Sequence, residues 1–271
     1  MSVRTPAARA SPHPAAGWLK PARHAIAGLA SLGLLAAACS SQSASTPAND
    51  PSQTDAGIAP PPANAQCTVP PGVSSAPSSI AQVTDLLNAL PKPVSVACFV
   101  ATLARPLALQ AADSEFSAQP AQSERSPRVF IFFPGLTMSV VAEGPGAHLL
   151  ELGETRGAAV SLKAELEFPI AAELDADAPF RRLYFSDAIT TCGFCHQGEV
   201  RAEDVASPLA FVSPAIRPLP NQRVALDDLR AEHANCDPEA EPERCALLSA
   251  LFGPEPQPID HEFPSAYRTF L

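Results

Sequence analysis

The chain has 271 residues, with 31 Pro, 13 Gly and 7 Cys, and 18 Lys and Arg against 28 Asp and Glu give it a formal net charge of -10. Proline is about twice as frequent as in an average protein, and aromatic residues are only 6%, so we expect one modest core and an unpacked segment beside it. The acidic excess and the absence of a basic run argue against nucleic acid as a partner.

The first 38 residues have the features of a secretory signal peptide. Residues 1–24 contain four basic side chains and no acidic one, and residues 25–38 form an uncharged run of small and apolar side chains. This run is shorter than the ~20 residues that a membrane-spanning helix needs. We therefore expect residues 1–38 to be removed on export.

The end of the run, Leu35-Ala-Ala-Ala-Cys39, resembles the lipobox of bacterial lipoproteins, whose cysteine is acylated and becomes the first residue. The resemblance implies a lipid bilayer as partner through acylated Cys39, and Ser40 is typical of lipoproteins sent to the outer membrane. Leucine stands one place earlier than usual, so ordinary cleavage after Ala38 is the alternative. Cleavage before Cys39 leaves 14 Lys and Arg against 28 Asp and Glu, a charge of -14. The expected location is the cell envelope, lipid-anchored in the outer membrane and facing the periplasm, where disulfides form.

Residues 39–78 are predicted to be a disordered tether. They consist mainly of Ser, Ala, Pro, Thr, Asn and Asp, with scarcely an apolar side chain larger than valine. Such a segment buries too little apolar surface to offset the entropy that ordering costs. Cys67 is the exception, because cysteines outside the cytoplasm are usually paired. We expect Cys67 to attach the end of the tether to the folded part.

A β-rich domain is predicted over residues 79–186. Apolar side chains at helical spacing predict a short helix over residues 80–90, which Pro91 ends. An apolar period of two then predicts strands at residues 94–98, 107–111, 128–133, 136–141, 148–152, 160–168 and 180–185, with turns at residues 134–135, 144–146 and 153. The clearest strand, residues 160–168, has one face for the core and one for water. The absence of long helices between the strands predicts an antiparallel sandwich or small barrel.

Residues 187–271 are predicted to be a C-terminal segment with a different character. It contains a proline-rich loop over residues 199–223 and two helices, over residues 224–234 and 242–252. The whole chain is therefore expected to be of the α+β class, with the β-rich domain followed by a short α-helical segment that contains cysteines.

This segment begins with the sequence Cys192-Gly-Phe-Cys195-His196, the C-x-x-C-H motif to which c-type haem is attached. Two thiols three places apart on a helical turn can reach the two vinyl groups of a haem, and the adjacent histidine is then directed at the iron. Chance alone gives roughly 0.004 such motifs in a chain of this composition. Over the motif the sequence resembles c-type cytochromes. The resemblance implies haem c bound covalently to Cys192 and Cys195, with His196 as the proximal axial ligand.

The second axial ligand is less clearly marked. In the common class of these cytochromes it is a methionine downstream of the motif, but no Met follows His196, and after the signal peptide the chain contains only Met138. The candidates for the distal ligand are therefore Met138, His233 and His261. An iron with five ligands is the alternative.

Three interpretations of the same cysteines involve no haem. A strand followed by C-x-x-C resembles thioredoxin-like proteins, whose first thiol has a lowered pKa. Zinc could be bound by Cys192 and Cys195 together with Cys236 and Cys245. The third interpretation has all six cysteines after Cys39 in disulfides and no cofactor.

If the motif cysteines carry haem, proximity in sequence pairs Cys67 with Cys98 and Cys236 with Cys245. The sequence contains no G-x-S-x-G, no H-E-x-x-H and no Gly-rich phosphate loop, so an electron carrier or binding protein is favoured over a classical enzyme. The expected function is that of a membrane-anchored, extracytoplasmic mono-haem lipoprotein, similar to c-type cytochromes, that exchanges electrons with a redox partner protein. The alternative is a disulfide-stapled envelope lipoprotein with a binding or structural role and no cofactor.

Overall fold

The computed structural model describes residues 67–114 and 117–269, all of which belong to one compact unit. The predicted signal peptide, Cys39 and residues 39–66 of the predicted tether lie outside the described residues. Within the described ranges, no helix is both long and apolar enough to cross a bilayer.

The described part of the chain contains α1 (Ile80–Ala89), α2 (Val96–Ala101), α3 (Ala178–Arg181), α4 (Leu226–Ala234) and α5 (Pro242–Phe252). The first two helices begin at serine caps. Ser79 Oγ accepts a hydrogen bond from the backbone N–H of Gln82, and Ser95 Oγ accepts one from Cys98. Helix α1 ends before Pro91, because the residue that precedes a proline avoids the helical conformation. The predicted helices at residues 80–90, 224–234 and 242–252 are therefore confirmed.

The strands, in chain order, are β1 (Ala108–Ala112), β2 (Arg128–Phe133), β3 (Leu136–Val141), β4 (Leu149–Gly157), β5 (Val160–Glu167), β6 (Tyr184–Ser186), β7 (Ile189–Thr190), β8 (Val200–Arg201), β9 (Phe211–Pro214), β10 (Ile216–Arg217), β11 (Arg223–Val224), β12 (Ile259–Asp260) and β13 (Arg268–Thr269). Nine of these strands form one sheet in the order β11-β1-β2-β3-β4-β5-β9-β8, with β12 paired in parallel to β1 beside β11. Strands β1 to β5 form an antiparallel meander. The pairs β6–β7 and β10–β13 are separate two-stranded sheets.

The main hydrophobic core lies between the helices and one face of this sheet. Side chains alternate along a strand, so Ile131, Met138, Leu150 and Leu162 point into this core. They meet apolar side chains of α1, α2, α4 and α5 there. Residues between them on each strand point to the opposite face, which carries the site described below.

The α+β class is confirmed. The sheet is open, with β8 and β11 at the two ends of the strand order, so the predicted small barrel is wrong. The predicted sandwich is not observed either, because helices cover the core face in place of a second large sheet.

The predicted strands at residues 107–111, 128–133, 136–141, 148–152 and 160–168 correspond to β1–β5. Residues 94–98 are not a strand: Val94 makes one isolated bridge with Ile170, and Ser95 then starts α2. Residues 180–185 are split between α3 and β6. Gly153 is not at a turn, because it pairs with Lys163 inside β4.

Residues 67–78, the last part of the predicted tether, lie against the domain. A disulfide joins Cys67 to Cys98, and Val69 and Val73 pack against the main core. The backbone N–H of Ala104 also donates a hydrogen bond to the carbonyl of Ser75. These contacts place the end of any disordered tether before Cys67 and not at residue 78.

The C-terminal segment is built into the same fold. It supplies β8, β9, β11 and β12 to the main sheet, and α4 and α5 to the main core. A second disulfide joins Cys236, just after α4, to Cys245 in α5. These two disulfides are the pairs inferred from proximity in the sequence, and Cys192 and Cys195 are free thiols.

Candidate functional site

The C-x-x-C-H motif forms a tight turn that follows the β6–β7 hairpin. Residues Thr191–Phe194 are a 3-10 helix, and Thr190 Oγ1 accepts a hydrogen bond from the backbone N–H of Cys192 at 3.2 Å. The carbonyl of Cys192 accepts from the N–H groups of Cys195 at 3.1 Å and His196 at 2.8 Å. The hydrogen bonds of this turn hold Cys192, Cys195 and His196 together.

Glu199 holds the turn in place. Its carboxylate accepts hydrogen bonds from the backbone N–H and the hydroxyl of Thr190, each at 2.7 Å. Gly193 packs closely against this carboxylate, because a Cβ added at position 193 would lie 2.5 Å from Glu199 Oε2. A side chain at position 193 would therefore have to displace the side chain of Glu199 or Ile189.

The motif faces a cavity of about 530 Å³ on the side of the sheet opposite the main core. Its floor is formed by β2 to β5, with Arg128, Glu151, Gly153, Ser161, Lys163 and Glu165 among the side chains and backbone that line it. Phe263, Tyr267 and residues 215–219 contribute to its other walls. Small-molecule and cofactor sites usually occupy about 300–1,000 Å³, so the cavity has a suitable size for one.

Most charged groups on the floor are paired with each other or with a neighbour. Arg128 contacts Glu151, donates to Ser139 Oγ at 2.8 Å and lies over the ring of Phe130. Glu165 accepts from Arg182 Nε at 2.5 Å, yet burial raises its pKa above the ordinary value. Glu151 Oε1 is buried without a hydrogen-bond partner. The floor therefore has one polar atom that a bound molecule could satisfy.

Lys163 is the second basic side chain on the floor. Its ammonium donates a hydrogen bond to Ser161 Oγ at 2.7 Å. Burial lowers the pKa of Lys163 to about 8. The alternation over residues 160–168 predicted that this face is exposed to water. It could not reveal the cavity, because residues distant in sequence decide whether a strand face is covered. The sequence signal for the cavity was the pair of charged residues Lys163 and Glu165, which lie on the face of β5 opposite its apolar face.

His196 is held by the backbone of the sheet. Its Nδ1 lies 2.8 Å from the carbonyl oxygen of Pro214, at the end of β9. A carbonyl only accepts hydrogen bonds, so Nδ1 carries the proton and a neutral ring has its lone pair on Nε2. Burial lowers the pKa of His196 to about 4, which keeps the ring neutral at pH 7. Metal-binding histidines commonly donate their second nitrogen to a backbone carbonyl in this way.

Two of the interpretations without haem disagree with the surroundings and bonding of the cysteines. Burial raises the pKa of Cys192 to about 12, whereas a thioredoxin-like first cysteine needs a lowered pKa to form the reactive thiolate. Cys236 and Cys245 are bonded to each other, so they cannot ligate zinc beside Cys192. A partly buried, uncharged thiol is compatible with a thioether, which carries no charge.

These residues fit a covalently bound haem. Cys192 and Cys195 are free while the other described cysteines are paired, and His196 presents an available nitrogen beside the cavity. In the described part of the chain, no group of three or more His, Cys, Asp or Glu side chains is arranged to hold a metal ion by itself. A haem does not require such a group, since the porphyrin itself binds the iron through four nitrogens and the protein adds one or two ligands.

The three predicted distal ligands are not brought to His196. Met138 is fully buried in the main core, on the other side of the sheet. His233 belongs to α4 and lies 6.5 Å from the ring of Phe252, also on the helical side. His261 packs against Phe132 at 4.6 Å on the cavity side, but it does not line the cavity.

Comparisons with protein-family models, with curated proteins and with solved structures found no match. Function is therefore inferred from the chemistry of the cavity and of the motif beside it.

Proposed function

We propose that this chain is a mono-haem lipoprotein of the cell envelope, similar to c-type cytochromes, that exchanges single electrons with a redox partner protein. Cys192 and Cys195 hold the haem through thioether bonds, and His196 is its proximal ligand. Acylated Cys39 anchors the protein in the outer membrane, facing the periplasm. A bound haem c supplies an iron that gains and loses one electron.

The observation that carries this proposal is the hydrogen bond from His196 Nδ1 to the carbonyl of Pro214. It fixes the tautomer and the direction of the imidazole beside a cavity that also exposes both motif cysteines. A C-x-x-C-H sequence that occurred by chance would have no reason to combine free thiols, an oriented histidine and a cofactor-sized space.

The remaining residues of the site position the motif and form the walls of the cavity beside it. Glu199 and Thr190 fix the turn that bears the cysteines. The sheet floor and the wall that contains Phe263 and Tyr267 enclose the space in front of it. Such enclosure lowers the local dielectric, which is one of the means by which a protein sets the potential of a haem.

The haem assignment is tested by expression of the full chain in a host with the cytochrome c maturation machinery. The wild type is expected to give a red protein with a Soret band, and the haem is expected to stay on the polypeptide through denaturing electrophoresis, since thioether bonds survive denaturation. Replacement of Cys192 and Cys195 by serine should abolish the colour. The matched control replaces Cys236 and Cys245 by serine, which should reduce stability by about 2–3 kcal/mol but leave the haem attached.

A colourless wild type whose mass contains no haem would overturn the assignment. If that protein also contained a disulfide between Cys192 and Cys195, the disulfide-stapled lipoprotein with a binding or structural role would be supported in its place.

The anchor is tested separately, by growth with a labelled fatty acid. The expected result is label on the processed chain and its recovery with membranes, because two or more acyl chains on one residue give stable anchoring. Cys39→Ala should lose the label. A processed wild-type chain without label would indicate ordinary secretion after cleavage at Ala38.

A further inference from the structure

Lys163 occupies the position on the cavity floor from which a side chain can reach toward His196. Pro214, whose carbonyl binds His196, pairs with Val160 at the start of β5. Lys163 lies three residues further along β5, about 10 Å away along the strand. Its Nζ donates to Ser161 Oγ, so the side chain is directed back along β5 toward the end at which His196 is bound.

The space beside Lys163 is open because its cross-strand neighbour is a glycine. Lys163 pairs with Gly153 on β4, and both line the cavity. On the next pairs along these strands, Glu151 is opposite Glu165, and both of those carboxylates have an arginine partner. The amine of Lys163 therefore borders on empty space. Around the neighbouring pair, Glu151 and Glu165, that space is filled by the two arginine side chains.

Lys163 also lacks a fixed counter-charge. In the described ranges no carboxylate oxygen lies within 4.0 Å of its Nζ, and the hydroxyl of Ser161 is a neutral acceptor. No ion pair therefore holds this amine in its charged form, and an amine that has lost its proton offers a nitrogen lone pair.

We propose that Lys163 is the distal axial ligand of the haem iron, on the face opposite His196. This inference rests on the proposed haem. One Nζ–iron bond forms, and the ammonium gives up one proton to the solvent. Lys163 takes the role predicted for Met138, His233 or His261. The side chain of Met138 is buried in the main core, and neither His233 nor His261 lines the cavity.

The other potential ligands on the cavity wall are less suitable. Glu165 is engaged by Arg182, and Arg128 engages only Oε2 of Glu151. The unpartnered Oε1 of Glu151 makes it the carboxylate that competes most directly with Lys163. Tyr267 packs with Phe263 in the smaller apolar cluster on the β1–β2 side of the sheet. Each of these is an alternative outcome of the test below.

The composition of the chain makes a direct test practical. The sequence contains three lysines, Lys20, Lys92 and Lys163, and Lys20 lies in the predicted signal peptide. Growth with ¹⁵N-lysine thus labels two sites in the mature protein. In the ferric wild type, pulsed electron paramagnetic resonance is expected to detect a ¹⁵N nucleus strongly coupled to a low-spin iron. Lys92→Ala is the matched control and should leave this signal unchanged, because Lys92 donates to the carbonyl of Leu90 at the end of α1, outside the cavity.

Two variants complete the test. Lys163→Ala and Lys163→Arg should each keep the covalent haem and shift the ferric iron from low spin to high spin, since neither side chain supplies a ligand. Added imidazole should bind these variants at least about tenfold more tightly than the wild type, because it no longer competes with an internal ligand. Haem content and circular dichroism show that the variants are loaded and folded.

A haem-containing wild type that is high-spin, or low-spin without coupled ¹⁵N, would overturn the role of Lys163 and leave the haem assignment intact. A wild type without haem would overturn both. The measurement on the labelled wild type does not depend on the folding of any variant.

Discussion

Gly193, inside the motif, has little room for a side chain. An added Cβ would lie 2.5 Å from Glu199 Oε2 and 2.7 Å from Ile189 Cδ1. Glu199 in turn binds both the N–H and the hydroxyl of Thr190, whose Oγ1 accepts from Cys192. The position of Cys192, the first cysteine of the motif, therefore depends on the packing around Gly193.

We expect Gly193→Ala to lower the free energy of unfolding by about 1–3 kcal/mol, because the methyl group must displace Glu199 or Ile189. Denaturant unfolding measures the loss, and the haem content of the purified protein should fall with it. Gly157→Ala in β4 is the control: no atom lies within 4 Å of a Cβ at that position. A Gly193 variant as stable as this control would show that the turn can rearrange.

A residue of the site could be predicted from the sequence when its partners are close to it along the chain, and could not be predicted when its partners are distant. Cys192, Cys195 and His196 are adjacent, so their motif is visible in the sequence. The carbonyl of Pro214 leaves no sequence signal, since every residue has one. Lys163 alternates with apolar residues, as a solvent-facing residue does. Its environment differs from solvent only because residues that come later in the chain, such as Phe263 and Tyr267, form walls of the cavity.

At the scale of elements, Arg244 connects the last two helices. It is 2% exposed and donates to Glu232 on α4 at 2.7 Å, to Glu241 at 2.9 Å and to the carbonyl of Arg125 at 3.0 Å. Arg125 also donates to Glu232 and Glu241. This cluster and the disulfide between Cys236 and Cys245 hold α4, α5 and the turn at residue 125 together.

Acid is expected to weaken this cluster. Arg125 and Arg244 hold the pKa of Glu241 below its ordinary value of 4.5, so protonation costs the folded state more than the unfolded state. The stabilisation is present above pH 4.5 and is lost as the pH falls through the lowered pKa. Glu241→Gln should thus be less stable than the wild type at about pH 6, and the difference should shrink toward about pH 3.

Urea unfolding at a series of pH values measures this difference. Glu239→Gln, just outside the cluster, is the control and should follow the wild type at each pH. A constant difference between Glu241→Gln and the wild type would mean that the titration of Glu241 does not contribute.

The elements also show where sequence patterns failed. Strands β2, β3 and β5 were predictable because apolar side chains occupy one face along the whole strand. On β4 this face has Leu150 and Leu152 and then Glu154, so only the first half of β4 was predicted. Residues 94–98 alternate in the same way, but the segment is short, and a serine cap at Ser95 outweighs the alternation. The sandwich was expected because the helices are short, yet four of them together cover a whole sheet face.

At the scale of the molecule, the boundary of the folded domain is set by a disulfide. The composition of residues 39–66 predicts a segment that cannot bury enough surface to fold. Cys67, in contrast, forms a disulfide with Cys98 in α2, and Val69 and Val73 pack against the main core.

Limited proteolysis of the mature protein is expected to cut within residues 40–66 and to leave a resistant fragment that retains Cys67. Replacement of Cys67 and Cys98 by serine should move the cuts into residues 67–78, because the release of Cys67 loosens the segment that leads to α1. Mass spectrometry of the fragments identifies the sites. Equally rapid cleavage within residues 128–167 would contradict the strand meander.

The order of the elements along the chain has a consequence for how the protein matures. Strands β2 to β5, the cavity floor, precede the motif, whereas β9, residues 215–219, Phe263 and Tyr267 follow it. If the chain is exported as proposed, it emerges from its N-terminal end, and the floor can assemble before the segments that follow the motif. Under the proposed function, a haem that arrives during this interval would meet an open sheet face. A haem that arrives after residues 211–267 have docked would meet an exposed Cys195 but a partly buried Cys192, so the bond to Cys192 should form more slowly.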